Sequence, residues 1–110
     1  MELKHRKAGT VDIIELSGRF DAYEVPLVNR WFDEHTTAQH VIVNLGGVGF
    51  IDSSGLSTLV KGLKRCRNHN GDLYLCNLQQ AVTIIFELTR LDKAFNIYDD
   101  EQSALDAIPG

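Results

Sequence analysis

Apolar positions along the chain repeat with two different periods, and each period predicts a different kind of element. Residues 11–16 are rich in β-branched side chains and partly alternate apolar with polar, which is typical of a strand. Residues 3–7 are expected to pair with this strand as a hairpin across the turn Ala8-Gly9-Thr10. We predict that Gly18 ends the strand and that Asp21 caps the helix that follows.

From Val25 the apolar residues recur at the helical period, which predicts a helix to about His35 with Pro26 in its first turn. Residues 40–45 contain a short, continuous apolar run, as a buried parallel strand does. The glycine-rich stretch Gly46-Gly47-Val48-Gly49 that follows is predicted to be a loop.

A second amphipathic helix is predicted after this loop and is expected to end in residues 68–71, where Asn or Gly can adopt the left-handed conformation. Residues 73–76 predict another strand, and residues 95–98 a short edge strand before a closing helix. The apolar positions of the second helix are Leu56, Leu59, Val60 and Leu63.

Apolar residues at the helical period predict a third helix. Ile84 and Leu88 belong to this helix but lie outside its main apolar stripe. The more economical interpretation is that a neighbouring helix buries these two residues. The alternative is that they form a docking surface. The stripe itself consists of Val82, Ile85, Phe86 and Thr89.

The predicted order is therefore β-β-α-β-α-β-α-β-α. Strands separated by helices form right-handed βαβ units, so we expect an α/β fold with a mixed four- to five-stranded sheet and four helices. The 110 residues suffice for one compact domain covering residues 1–110.

Composition narrows the possible functions. The net charge of −4 disfavours nucleic acid as a partner, since DNA and RNA are themselves anionic. No secretory signal follows the first residues and every apolar run is too short to span a membrane, so we expect a cytoplasmic protein. Cys66 and Cys76 have neither metal-ligand nor redox spacing and are expected to be reduced and structural. We expect no metal and no cofactor.

The most informative segment is Asp52-Ser53-Ser54-Gly55-Leu56, where a buried strand gives way to a helix. Short polar side chains at this position accept hydrogen bonds from the unpaired amides of the first turn, so capping explains part of the segment. Two serines exceed what one cap needs. A glycine in the first turn costs up to about 1 kcal/mol relative to alanine, which indicates that something approaches the helix closely.

This segment resembles the signature of STAS domains, the family of bacterial anti-sigma factor antagonists. The resemblance extends over nearly the whole chain. Gly18-Arg19-Phe20-Asp21-Ala22 is similar to the family's Gly-x-x-Asp element. Residues 81–91 resemble its third helix, and Phe95-Asn96-Ile97-Tyr98 resembles the strand after that helix.

The resemblance implies that Ser53 accepts phosphate from an anti-sigma factor serine kinase with the histidine-kinase-like ATPase fold. The unphosphorylated protein would bind the kinase, the phosphorylated protein would release it, and a cognate phosphatase would reset the switch. The chain departs from the family at Ser57, where the family often has glycine, and Thr58 follows it. Ser54, Ser57 and Thr58 therefore remain alternative phosphorylation sites. The expected partner-binding residues are Asp21, Asp52, Ser54, Gly55 and Leu56.

Catalytic motifs are absent from the sequence. Ile51 occupies the first glycine position of a hydrolase nucleophile elbow around Ser53, and no dinucleotide or P-loop pattern is complete. We therefore expect no catalytic residue and a monomer or weak dimer that is not an enzyme. The alternative within the same fold is an accessory or scaffold subunit of a lipid-transport or stress-sensing complex, which need not be phosphorylated.

Overall fold

The computed structural model describes residues 1–109 and has the predicted order of elements. The strands are β1 (Glu2–Ala8), β2 (Val11–Phe20), β3 (His40–Ile51), β4 (Asp72–Cys76) and β5 (Asn96–Tyr98). The helices are α1 (Val25–Glu34), α2 (Ser53–Asn68), α3 (Gln80–Leu88) and α4 (Glu101–Ala107), with a 3₁₀ turn (Leu91–Lys93) between α3 and β5.

The five strands form one mixed sheet in the order β1-β2-β3-β4-β5. The hairpin of β1 and β2 is antiparallel, and the remaining neighbours are parallel because a helix connects each pair. Both the α/β class and the expected mixed sheet with four helices are confirmed, with five strands rather than four.

Each face of the sheet has its own apolar core. Successive strand residues point to opposite faces, so Ile42 joins the smaller core under α4, while Val41 and Val43 join the larger core under α1, α2 and α3. All three side chains are fully buried, as predicted for a parallel central strand. The three long helices therefore share one face, and their connections from the strands lie along the carboxyl edge of the sheet.

The prediction of a loop at residues 46–49 is wrong, because β3 continues to Ile51 and pairs with the second half of β2. A Cβ added to Gly47 would lie 2.6 Å from the Cβ of Ser17, so glycine allows the two strands to approach. The register shifts twice along this pair, and β3 holds the additional residue each time. Val48 is fully buried and anchors this half of the strand.

Two neighbouring predictions also need correction. Gly18 does not end β2, which continues to Phe20 with a φ of 106° at Gly18, a value that glycine tolerates. Asp21 is not the cap of α1, since that position belongs to Glu24. The carbonyl of Asp21 instead accepts hydrogen bonds from the amides of Glu24 and Val25, both at 3.0 Å, in the turn that leads into the helix.

Burial of Ile84 and Leu88 is also a wrong prediction. Ile84 is 43% exposed and Leu88 is 76% exposed, whereas Val82 and Phe86 point into the larger core. The predicted end of α2 is confirmed, and Asn70 is the residue that adopts the left-handed conformation there, with a φ of 64°.

Cys66 and Cys76 are free, buried thiols, and burial raises the pKa of each from 9.0 to about 12. Since the thiolate is the nucleophile, we expect iodoacetamide at about pH 8 to leave both unmodified in the folded chain and to alkylate both in denaturant. Intact mass measures this, and rapid alkylation of the folded chain would contradict it.

Because the folded pKa is raised, the stability that the neutral thiols contribute is present below about pH 9 and is lost as pH rises toward 12.

Candidate functional site

Asp52 fixes the junction between β3 and α2. Its Oδ1 accepts a hydrogen bond from the amide of Gly55 at 3.0 Å, which confirms the predicted helix cap. Its Oδ2 accepts from the amide of Ala22 at 3.3 Å, in the loop after β2. One carboxylate therefore holds the start of α2 and the loop of the neighbouring strand in a fixed relation.

The first two turns of α2 contain four hydroxyl groups with different accessibility. Ser53 and Ser57 are exposed, and Ser54 is half-buried. Thr58 is only 2% exposed, and its Oγ1 donates to the carbonyl of Ser54 at 2.9 Å. A modifying enzyme can therefore reach Ser53 and Ser57, whereas Thr58 is inaccessible in the folded chain.

Asp21 lies at the same edge of the sheet as Asp52. Its Oδ1 accepts from the amide of Tyr23 at 3.1 Å, and its Oδ2 lies 3.5 Å from Nε of Arg19. Since Asp52 is bonded to Ala22, which follows Asp21, the structure brings both predicted carboxylates to the loop edge beside the start of α2. A helix start is electropositive, but here acidic groups stand close to it.

Gly55 and Leu56 are buried. A Cβ added to Gly55 would lie 2.6 Å from the carbonyl oxygen of Phe20 and 2.8 Å from Cγ1 of Ile51. The predicted close approach to the helix start is therefore confirmed, and it is made by the ends of β2 and β3. Gly55 consequently places Ser53 relative to the sheet, while Leu56 forms part of the floor beside it.

A largely apolar groove of about 410 Å³ extends from Ser53 along α2. Its far wall is Leu91, from the 3₁₀ turn, which the sequence alone does not associate with the site. Because the groove contains both exposed serines, a phosphate on either would change its charge. The lining residues are Ser53, Leu56, Ser57, Val60, Lys61 and Leu91.

Two exposed aromatic residues lie close in sequence to Asp21 and Asp52, and sequence reasoning missed both. Tyr23 is 91% exposed and Phe50 is 40% exposed. The guanidinium carbon of Arg19 lies 4.0 Å from the centroid of the Phe50 ring, a cation–π contact. Tyrosine and arginine are enriched among the residues that dominate protein interfaces. The sequence does contain a signal for both aromatic residues, since Tyr23 lies two positions after Asp21 and Phe50 two positions before Asp52.

Metal-binding and membrane-spanning features are described for residues 1–109. In that range no group of histidine, cysteine, aspartate and glutamate side chains has the arrangement of a metal site. None of the helices there combines the length and apolar character that crossing a membrane requires.

Comparison with known proteins places this chain in a family. The model of the STAS domain family matches residues 3–104, and the chain belongs to this family. The Anti-sigma F factor antagonist of Paenibacillus polymyxa is 29% identical over 108 residues, which are 96% of this chain and 91% of that protein. The Anti-sigma-B factor antagonist of Listeria monocytogenes is 28% identical over 103 residues, 92% of this chain and 90% of that protein.

Solved structures share the fold. An anti-sigma-factor antagonist (STAS) domain protein from Planctomyces limnophilus superimposes with a TM-score of 0.84 at 25% identity, over 96% of both chains. The Bacillus protein SpoIIAA in its phosphorylated form gives a TM-score of 0.74 at 18% identity, over 96% of this chain and 97% of that one. Its unphosphorylated form also gives 0.74, at 17% identity and 96% of both chains. Both forms of SpoIIAA thus have the fold of this chain.

Proposed function

We propose that this chain is an anti-sigma factor antagonist controlled by phosphorylation of Ser53. The unmodified chain binds an anti-sigma factor that is also a serine kinase with an ATPase fold, and the phosphorylated chain releases it. A cognate phosphatase restores the first state. The observation that supports this most directly is the exposed hydroxyl of Ser53, which lies in the first turn of the helix that Asp52 caps and at the end of an apolar groove.

The partner supplies the catalytic groups of the transfer. A serine hydroxyl needs a base to become a good nucleophile, and the four histidines lie elsewhere. His5 and His35 pack around Trp31, His40 begins β3 at the opposite edge, and His69 ends α2. The new bond joins Ser53 Oγ to the γ-phosphorus of ATP, the bond to ADP breaks, and the proton passes to a base on the kinase. This chain is then a substrate rather than an enzyme.

Phosphorylation changes binding through charge. It adds about −1.5 to −2 charges at the mouth of the groove, beside the carboxylates of Asp52 and Asp21. A partner surface that fits a neutral hydroxyl would have to desolvate this dianion, and contact with its own acidic groups adds repulsion. The fold itself is not required to change, since Ser53 projects outward.

The predicted partner-binding residues divide by position. Asp21, Asp52 and the half-buried Ser54 lie at the carboxyl edge, where a docked kinase would touch them. Gly55 and Leu56 act from beneath, by setting the depth of the helix start and the groove floor. We further propose that residues 1–110 act as a single cytoplasmic domain whose partners are proteins rather than nucleic acids or membranes.

Replacing Ser53 with alanine tests the assignment of the site. Histidine-kinase-like ATPases purified from the source organism are incubated with the chain, radiolabelled ATP and Mg²⁺, and the labelled peptide is mapped by mass spectrometry. We expect one ATPase to label the wild type and Ser57→Ala equally, and Ser53→Ala not at all. Label on Ser53→Ala at the wild-type rate would contradict the assignment. Stable capture of a transporter ATPase without phosphate transfer would instead favour the accessory-subunit alternative.

A further inference from the structure

A second cavity, of about 280 Å³, lies at the opposite edge of the sheet from Ser53. Its lining comes from the hairpin turn, the start of β2, the end of α1 and the connection from α1 to β3. The charged and titratable side chains in the lining are Lys7, Asp12, Glu34 and His35. None of these residues has a part in the proposed switch at Ser53, so the cavity is independent of it.

Asp12 is the buried charge of this cavity, with only 3% of the residue exposed. Its Oδ1 accepts a hydrogen bond from Nε2 of His5 at 2.8 Å. Nζ of Lys7 lies 3.7 Å from the same oxygen, which is too long for a hydrogen bond. The other oxygen, Oδ2, has no hydrogen-bond partner among residues 1–109, and the fold does not seal it from solvent. Because buried carboxylate oxygens are normally hydrogen-bonded, Oδ2 is an acceptor that a ligand in the cavity can use.

The neighbouring groups also favour a ligand that donates hydrogen bonds and carries positive charge. Nδ1 of His35 donates to the carbonyl of Trp31 at 2.7 Å, which leaves Nε2 of the neutral ring as an acceptor. Glu34 is exposed and forms no ion pair with residues 1–109. The carboxylates of Asp12 and Glu34 therefore face a single lysine, and the lining is negative overall when His35 is neutral.

We propose that this cavity binds a small organic ammonium ion, whose N–H groups donate to Oδ2 of Asp12 while Glu34 adds to the attraction. An ammonium group has several N–H donors, and its hydrogen bonds to a carboxylate are strengthened by charge. A metal ion is less suitable, because no group of side chains in residues 1–109 has the arrangement that a metal requires. The volume of about 280 Å³ is small for a ligand pocket, so the ligand itself is small.

Trp31 makes binding measurable without any kinase, so the result does not depend on the proposed function. It is the only tryptophan of the chain, and its ring stacks on that of His35 with centroids 4.3 Å apart. A ligand in the cavity should therefore change the tryptophan fluorescence. At about pH 8, where histidine is ordinarily neutral, and at constant ionic strength, we expect ethylammonium to give a saturable change with a dissociation constant of about 1 mM to 10 mM. Tetramethylammonium has the charge but no N–H donor and should give none.

Three variants test which residues hold the ligand. Asp12→Asn keeps the shape of the side chain but not its charge and should weaken ethylammonium binding at least about tenfold, with circular dichroism to verify its fold. Glu34→Gln changes an exposed residue, so the fold should tolerate it, and it should weaken binding several-fold. Glu87→Gln is the control, because it removes the same charge from an exposed position on α3 and should bind as the wild type does.

Three results would overturn the proposal. They are no saturable change with the wild type, an equal response to tetramethylammonium, and the same affinity in Glu34→Gln as in Glu87→Gln.

Discussion

Substituting Ser53 with aspartate is expected to weaken binding of the chain to the proposed anti-sigma kinase about hundredfold, which corresponds to nearly 3 kcal/mol. The substitution places a carboxylate where the kinase meets a neutral hydroxyl, beside Asp52, whose own carboxylate caps the helix. Ser53→Ala should bind as the unmodified chain does, because it removes only the acceptor oxygen. Isothermal titration calorimetry with the purified kinase measures both affinities.

A matched control separates the location of the charge from the charge itself. Ser103 also stands in the first turn of a helix and is exposed, but α4 packs on the other face of the sheet. Ser103→Asp adds the same charge and should leave the affinity within about twofold of the wild type. If Ser103→Asp weakens binding as much as Ser53→Asp does, the effect comes from net charge and the proposed site is wrong.

Replacing Gly55 with alanine is expected to lower the free energy of unfolding by about 1–3 kcal/mol, although alanine is the better helix former. The added Cβ would lie 2.6 Å from the carbonyl oxygen of Phe20, and backbone cannot move aside as the end of a flexible side chain can. Gly49→Ala is the control, since its Cβ would meet Oε1 of Gln79 at an ordinary 3.5 Å. Urea denaturation followed by circular dichroism measures both variants.

The two glycine substitutions should also differ in function. Relief of the clash at Gly55 displaces the start of α2, so Gly55→Ala should slow phosphate transfer to Ser53 even where the chain remains folded. Equal stability of Gly55→Ala and the wild type would show that the sheet does not hold the helix start in place.

Local signals in the sequence were sufficient for much of the fold. The hairpin, the period of α2 and the cap at Asp52 each depend on residues within one or two turns of each other, so the pattern predicts them. The proposed site at Ser53 also depends on a local signal, a serine at the start of a helix that follows a buried strand.

Features that depend on distant residues were not predictable in this way. Gly46 to Gly49 resemble a loop because their role appears only when Ser17 of β2 lies against Gly47. Ile84 and Leu88 were expected to be buried because the sequence does not show how many helices share a face. Leu91 joins the groove only through the tertiary packing of the 3₁₀ turn against α2.

The central claim is tested most directly by comparing the genuine phosphorylated chain with the unmodified one. The chain phosphorylated at Ser53 is separated by ion exchange, its modification is verified by intact mass, and both forms are titrated against the same kinase. The account predicts a dissociation constant at least about a hundredfold larger for the phosphorylated form, with an unchanged circular dichroism spectrum. Equal affinities of the two forms would contradict it.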